Sequence, residues 1–245
     1  MTGPLIQRFY PESRFGGFTD IDGTVAFYSR VNALVKPLYV VVDFGCGRGS
    51  GNEDSVTFRR SLRNLRPLVS KVIGLDVDSA GRENEFVDEF RLLECNAAWP
   101  VEDESVDLLY SDFVMEHLAD PKLFFREAYR VLKADGFLCI RTPNLFGYVG
   151  IVSSLLPGFL HKRILKVAQP NRSAEDIFPA VYRCNTARAV RRQLRANRFD
   201  GVVYGYEAEP SYLNFSPIAY ALGTVYRNLA PPQFRSCLFA FARKA

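Results

Sequence analysis

The chain has 245 residues, of which 48% are hydrophobic and 24% charged, a composition typical of a globular protein that buries a sizeable core. No apolar leader with a cleavage site occurs in the first 30 residues, and the five scattered cysteines and two histidines form no close cluster, which predicts a cytoplasmic protein without a disulfide framework or a metal site. The net charge of +4 is unevenly divided: residues 1–150 hold 17 Lys/Arg and 22 Asp/Glu, whereas residues 151–245 hold 14 and 5, so the second part is a basic solvated face or a surface for an anionic partner.

The first half of the chain alternates apolar strands with amphipathic helices. A helix is predicted at residues 24–35, within an N-terminal helical cap at 1–36. Three apolar, β-branched runs that end in polar or glycine-rich turns predict buried strands, at residues 39–44, 71–75 and 106–110. Helices predicted at 54–69 and 121–132 separate them, so the strands are expected to be parallel.

The second half continues the sheet. A turn at residues 134–136 leads to a strand at 137–142, and a basic helix at 186–197 precedes strands at 201–206 and 236–243. These elements predict one α/β domain with a Rossmann-like, doubly wound sheet, mostly parallel with an antiparallel last strand. After the N-terminal cap, its predicted parts are a cofactor-binding core at 37–143 and a lid or substrate region at 144–185. The C-terminal part at 186–245 contains an aromatic insertion at 207–235.

An apolar stretch follows the core. Residues 142–160 contain no Asp, Glu, Lys or Arg over 19 positions, close to the length that spans a bilayer. Prolines and glycines interrupt it, and basic residues follow it. The pattern favours a lid or an interfacial segment over a membrane-spanning helix.

A glycine-rich loop after the first strand indicates a ligand site. Gly45, Gly47 and Gly49 follow Asp43, but their spacing fits neither the dinucleotide fingerprint nor the phosphate-binding loop of nucleotide triphosphatases. A carboxylate at the strand end repels a pyrophosphate and attracts an ammonium group. Asp76, at the end of the second strand, is placed to accept hydrogen bonds from ribose hydroxyls. Together these residues favour a cationic, ribose-containing ligand.

Several ordered motifs carry a family resemblance. The stretch VVDFGCGRG at 41–49, VIGLDVD at 72–78 and the segment at 94–144 resemble the class I S-adenosylmethionine-dependent methyltransferases, in the small-molecule group called methyltransferase domain 11. The resemblance implies a seven-stranded fold, S-adenosyl-L-methionine as cofactor and methyl transfer by in-line displacement. The cofactor-binding residues it implies, together with those read from the loop, are Asp43, Gly45, Cys46, Gly47, Gly49, Asp76, Val77, Asn96, Ala97, Ser111, Asp112 and Phe113.

Candidates for acid–base chemistry are few. His117 or His161 is a possible general base for an oxygen or nitrogen acceptor. His117 can instead pack against the cofactor or cap the next helix, and a solvated surface is the favoured interpretation of His161. Asp112 and Glu116 either orient a substrate or start a helix. Cys46 is read as a small residue beside the cofactor rather than a nucleophile.

The acceptor is expected to be a small or lipid-linked molecule with an apolar body, and peripheral contact with a membrane is an associated hypothesis. An arginine-rich run at 183–198 leaves open a nucleic-acid methyltransferase, although the arginines also fit the outer face of an amphipathic helix. A noncatalytic binding protein on the same fold is a further alternative. The sequence specifies neither the methylated atom nor the oligomeric state.

Overall fold

Seven strands of the described residues form one sheet. In the computed structural model, which describes residues 4–94, 97–148, 150–151 and 179–245, the strand order is β3-β2-β1-β4-β5-β7-β6. Strands β1 to β5 are parallel, and β7 runs antiparallel to its neighbours β5 and β6. The predicted sheet is thereby confirmed. The strands are β1 Val40–Phe44, β2 Lys71–Asp76, β3 Glu89–Leu92, β4 Val106–Asp112, β5 Leu132–Pro143, β6 Phe199–Tyr206 and β7 Cys237–Lys244.

Side-chain caps begin several of the helices. Asp22 accepts hydrogen bonds from the backbone N–H groups of Thr24 and Val25, and Asp120 caps the helix that begins at Pro121, a position that tolerates proline. The described helices are α1 Pro4–Phe9, α2 Gly23–Leu34, α3 Thr57–Arg63, α4 Pro121–Val131, α5 Ala187–Ala196 and α6 Pro217–Leu229.

The sheet buries a different set of side chains on each face. On one face, α4 and α5 contribute Phe124, Val131, Val190 and Leu194 to a core with alternate residues of the central strands. On the other face, α2 packs Phe27, Tyr28 and Val31 against the remaining alternate residues. The outer face of α5 carries exposed arginines, so the arginine-rich run has the amphipathic pattern that the sequence allowed.

Local boundaries differ from the predictions for identifiable reasons. The helix predicted at 54–69 spans only Thr57–Arg63 and is followed by a 3-10 turn at Arg66–Leu68, because Pro67 lacks the N–H that a continuing helix would donate to Arg63. The turn predicted at 134–136 lies within β5, where Asp135 has a φ of +66° and the register against β4 shifts. Strand β3 and helix α6 were not predicted.

Part of the predicted architecture lies outside the described residues. Most of the lid or substrate region at 144–185 belongs to this part, as do Asn96 and His161. Within the ranges given above, no helix combines the length and the apolar character needed to cross a membrane.

Candidate cofactor site

The carboxyl ends of the parallel strands meet at one edge of the sheet. Asp43 lies near the end of β1, Asp76 ends β2 and Asp112 ends β4. The glycine loop leaves β1 at this edge, where open α/β sheets bind their ligands. The structure thus brings these three predicted residues together at one edge of the sheet.

Backbone hydrogen bonds hold the glycine loop against β2. The N–H groups of Gly45 and Cys46 donate to the Leu75 carbonyl at 2.7 and 3.3 Å. The N–H of Gly47 donates to Asp76 Oδ2 at 2.8 Å. The loop thus presents a fixed backbone surface, and Asp76 holds the loop as well as facing the crevice.

Each glycine of the loop meets a different environment. A Cβ atom at Gly45 would lie 2.2 Å from Val114, and one at Gly49 would lie 2.5 Å from Asn84 Oδ1. At Gly47, with a φ of +53°, a Cβ atom would have no neighbour within 4 Å. The first two glycines permit close packing within the protein, whereas Gly47 borders open space that a ligand can fill.

Asp76 retains capacity to bind a ligand. It is 8% exposed, and its Oδ1 accepts one hydrogen bond from the Asp78 N–H while Oδ2 accepts the bond from Gly47. A carboxylate has about four acceptor positions, so each oxygen can accept another hydrogen bond, for example from a ribose hydroxyl. The next residue, Val77, is 53% exposed, and Ala97 is half-buried.

Asp43 is a partly buried acid with an altered titration. Burial raises the pKa of Asp43 to about 7, and a hydrogen bond from Tyr110 acts in the opposite direction. The nearby carboxylates of Asp112 and Asp76 also disfavour its charge. A cation placed beside Asp43 would relieve this cost, which matches the sequence-based expectation of an ammonium ligand.

Asp112 is held in a buried ion pair. Its two oxygens accept hydrogen bonds from Arg141 Nε and Nη2, both at 2.5 Å, and Tyr28 donates to Oδ2 at 3.1 Å. Although burial alone would raise the pKa of Asp112, the pairing with Arg141 lowers it. Asp112 is therefore anionic and fixes Arg141 and Tyr28 at the crevice, a structural role that sequence reasoning missed.

The residues on either side of Asp112 face different surroundings. Phe113 is 37% exposed with a φ of +55°, and its ring lies 4.8 Å from the Arg141 guanidinium. Ser111 is fully buried and, among the described residues, its Oγ has no hydrogen-bond partner. Because side chains alternate along a strand, Ser111 points to the face opposite Asp112.

Cys46 and His117 have distinct environments. Burial raises the pKa of the Cys46 thiol, with Asp43 and Asp76 adding to the effect, so this thiol is a poor nucleophile. The Nδ1 atom of His117 lies 3.1 Å from the Pro179 carbonyl oxygen. Since a carbonyl only accepts, Nδ1 carries the proton in this contact, and Nε2 is the basic nitrogen of the neutral ring.

Two further residues of the site were not found from the sequence. Asn84 is buried, and its Nδ2 donates to the carbonyls of Cys46 and Gly47 at 2.9 and 3.3 Å. Arg63 extends from the end of α3 into the same crevice, beside Thr24 and Tyr28. Both residues are far from the loop in sequence, and no local motif marks them.

The features of this crevice fit the cofactor that the sequence implied. Gly47 borders open space beside Asp76, which can accept hydrogen bonds from a ribose. Asp43, whose charge a cation would stabilise, lies at the same edge of the sheet. No nucleotide phosphate is needed to explain the loop.

Comparisons with known proteins agree with this fit. Residues 42–140 match the family model described as a methyltransferase domain. A Mycobacterium tuberculosis protein named "probable S-adenosylmethionine-dependent methyltransferase" is 32% identical over 107 residues, which cover 42% of this chain and 35% of that protein. The match thus spans about a third of that relative's length.

Solved structures share the fold over most of the chain. A methyltransferase from Archaeoglobus fulgidus, described as S-adenosylmethionine-dependent, aligns with a TM-score of 0.55 and 17% identity, covering 97% of this chain and 99% of its own. Geranyl diphosphate C-methyltransferase from Streptomyces coelicolor A3(2) aligns with a TM-score of 0.51 and 17% identity, covering 90% and 77%. Residues 42–140 are therefore similar in sequence to S-adenosylmethionine-dependent methyltransferase domains, and the chain shares the fold of such proteins.

Proposed function

We propose that the protein transfers a methyl group from S-adenosyl-L-methionine to a small-molecule or lipid-linked acceptor. The observation that carries the proposal is the open space at Gly47 beside Asp76, with Asp43 at the same edge of the sheet. When bound, the cofactor supplies a methyl group on a cationic sulfur. The protein has to bind it, align the acceptor and exclude water, and such positioning supplies on the order of 7 kcal/mol or more in favourable cases.

The residues divide this work by their chemistry. Asp76 is proposed to receive the ribose hydroxyls, and Asp43 the ammonium group of the amino-acid half. Gly45, Cys46, Gly47 and Gly49 contribute backbone, and Val77, Asn96, Ala97, Ser111, Asp112 and Phe113 complete the proposed cofactor-binding set. Because Asp112 is already paired with Arg141, its contribution is to fix the crevice wall.

An experiment on the purified protein tests the cofactor proposal directly. Isothermal calorimetry should detect S-adenosylhomocysteine and S-adenosylmethionine at sub-millimolar concentration, and Asp76→Ala should weaken both. A wild-type protein that releases no heat with either ligand would favour the noncatalytic alternative. Transfer of label from the cofactor to RNA or DNA, rather than to lipid extracts, would instead support the nucleic-acid alternative.

His117 is the proposed general base among the described residues. Its Nδ1 contact with the Pro179 carbonyl leaves the basic nitrogen at Nε2, 3.9 Å from Glu116 Oε1. His117→Gln should lower turnover about 100-fold or more if proton removal is needed, without changing the affinity for S-adenosylhomocysteine. Unchanged turnover would mean that the acceptor needs no base from this position. His161 lies outside the described residues, and we propose it as an alternative general base from the sequence alone.

An apolar acceptor is favoured by the surface of the C-terminal part. Ile218, Leu222, Val225 and Leu229 recur at three-to-four spacing on α6, and each side chain is more than half exposed. A contiguous exposed apolar stripe of this kind marks an interaction surface, whereas apolar residues scattered singly over a surface do not. One protein of the same fold is named for geranyl diphosphate, an apolar chain with an anionic end, and we propose an acceptor of this general kind.

We further propose that this stripe on α6 contacts an anionic lipid surface, since residues 151–245 hold 14 Lys/Arg against 5 Asp/Glu. Wild-type protein should float with vesicles containing phosphatidylglycerol at low salt, and Ile218→Ser with Leu222→Ser should abolish flotation. Leu38→Ser is a matched control, because Leu38 is an isolated exposed leucine. If wild-type protein does not float with the vesicles, the lipid-surface proposal is wrong.

A further inference from the structure

Arg63 places a guanidinium group at the inner wall of the crevice. Its Cδ atom packs so closely on the glycine loop that a Cβ atom at Gly51 would lie 3.1 Å away. Its Nη2 lies 3.5 Å from Thr24 Oγ1, and its guanidinium lies 5.8 Å from the centre of the Tyr28 ring. The side chain is thus fixed between the loop and α2, and Gly51 provides room for its stem.

The pairing of Arg63 differs from that of two nearby arginines. Arg59, one turn earlier on α3, forms ion pairs with Asp22 and Asp54, and Arg141 pairs with Asp112. Within the part of the chain that the structure describes, Arg63 makes no ion pair, and its buried Nε has no acceptor. A buried donor left without an acceptor is destabilising, and a ligand that accepts from it recovers that free energy.

The charges around Arg63 indicate what such a ligand carries. Arg63 is close enough to Asp43 to stabilise its carboxylate electrostatically, although burial has the larger and opposite effect on the Asp43 pKa. Asp43 is an acceptor that suits a cation, and Arg63 is a donor that suits an anion. Both side chains lie on the face of the sheet that packs against α2 and α3. The pair therefore matches a zwitterion whose two charges are close together.

We propose that Arg63 binds the α-carboxylate of the methionine half of the cofactor, while Asp43 receives the adjacent ammonium. This inference rests on the proposed function and assigns the residue that recognises one of its groups. The guanidinium fork suits a carboxylate because two parallel N–H groups can donate to its two oxygens. Arg63 is then a cofactor-binding residue that distinguishes the intact amino acid from a ligand lacking the carboxylate.

A set of ligands that differ in one group tests this assignment by calorimetry. S-Adenosylmethionine has the carboxylate and the ammonium, decarboxylated S-adenosylmethionine keeps only the ammonium, and methylthioadenosine has neither. Wild-type protein should bind S-adenosylmethionine roughly 10- to 100-fold more tightly than the decarboxylated ligand, as expected for a charge-assisted hydrogen bond. Arg63→Met should remove this preference, and Arg63→Lys should retain part of it.

A neighbouring arginine provides the matched control. Arg60 lies on the same helix and is exposed, so Arg60→Met should keep the wild-type ligand preference. If Arg63→Met weakens all three ligands equally, Arg63 has a structural role and the proposal is wrong. The proposal is also wrong if Arg63→Met weakens the binding of none of the three ligands. If wild-type protein binds none of the ligands, the proposed function itself fails, and this result is distinct from the other two.

Discussion

On the β1–β2 side of the crevice, hydrogen bonds to backbone atoms hold the glycine loop, whereas on the β4–β5 side an ion pair between Asp112 and Arg141 holds the wall. The first arrangement leaves an open surface beside Gly47. The second fills its side of the crevice with charged and aromatic side chains. Both arrangements depend on residues that only folding brings together, since Gly47 and Asp76 are 29 positions apart, as are Asp112 and Arg141; the two sides differ in their chemistry. The two sides should therefore respond differently to substitution.

The largest loss of stability is expected on the β4–β5 side. Asp112→Ala leaves Arg141 buried without its partner, and we expect the free energy of unfolding to fall by about 3 to 5 kcal/mol. Chemical denaturation measures this change. The exposed pair of Arg243 and Asp135 is the control, since Arg243→Gln should cost at most about 1 kcal/mol. Equal effects of the two substitutions would contradict a structural role for the Asp112–Arg141 pair that depends on its burial.

Asp43 on the β1–β2 side should show the opposite effect on stability. Its folded-state pKa of about 7 exceeds the unfolded value of about 3.9, so between these values the folded protein holds a proton that the unfolded chain has released. Stability therefore falls as pH rises through this window. Asp43→Asn should stabilise the protein at pH 8, by at most about 4 kcal/mol, and should weaken S-adenosylhomocysteine binding.

Thermal unfolding of Asp43→Asn and wild-type protein across pH 3.5 to 8 tests this expectation. Their difference in stability should be small below pH 4, grow toward pH 7 and stay constant above it. A difference that is independent of pH would mean that Asp43 does not titrate in this range. Loss of stability at pH 8 would show that its carboxylate is stabilising.

The smallest effect on stability, with a clear effect on binding, is expected at Gly47. Gly47→Ala has no steric clash within the protein, so its cost is the positive φ, about 1 kcal/mol. The added methyl group occupies the open space and should weaken S-adenosylhomocysteine binding on the order of tenfold or more. Calorimetry and thermal unfolding separate the two effects.

Gly45→Ala is the comparison for Gly47→Ala, because its Cβ atom would lie 2.2 Å from Val114. We expect it to lower the free energy of unfolding by about 2 kcal/mol or more. If Gly47→Ala binds the ligand normally, the space beside Gly47 is not where the cofactor lies.

The sequence predicted the parallel core because its strands are continuous apolar runs and its loop has regularly spaced glycines. It did not predict β3, because Glu89–Leu92 is only four residues long, too short for its alternation of charged and apolar residues to be distinctive; its pairing with β2 identifies it. Helix α6 was missed because its aromatic residues led to residues 207–235 being interpreted as an aromatic insertion. For the site, Asp43 and Asp76 were found at strand ends. Asn84 and Arg63 were not, because only folding brings them to the loop.

The contact between Gly45 and Val114 limits how this protein can change during evolution. The loop after β1 and the loop after β4 meet at these two residues, with no space for a side chain at 45. A larger residue at 114 would press on the glycine loop, and a larger residue at 45 would displace the loop after β4. Positions 45 and 114 should therefore tolerate substitution only together, so that divergence in the loop after β4 is restrained by the glycine loop.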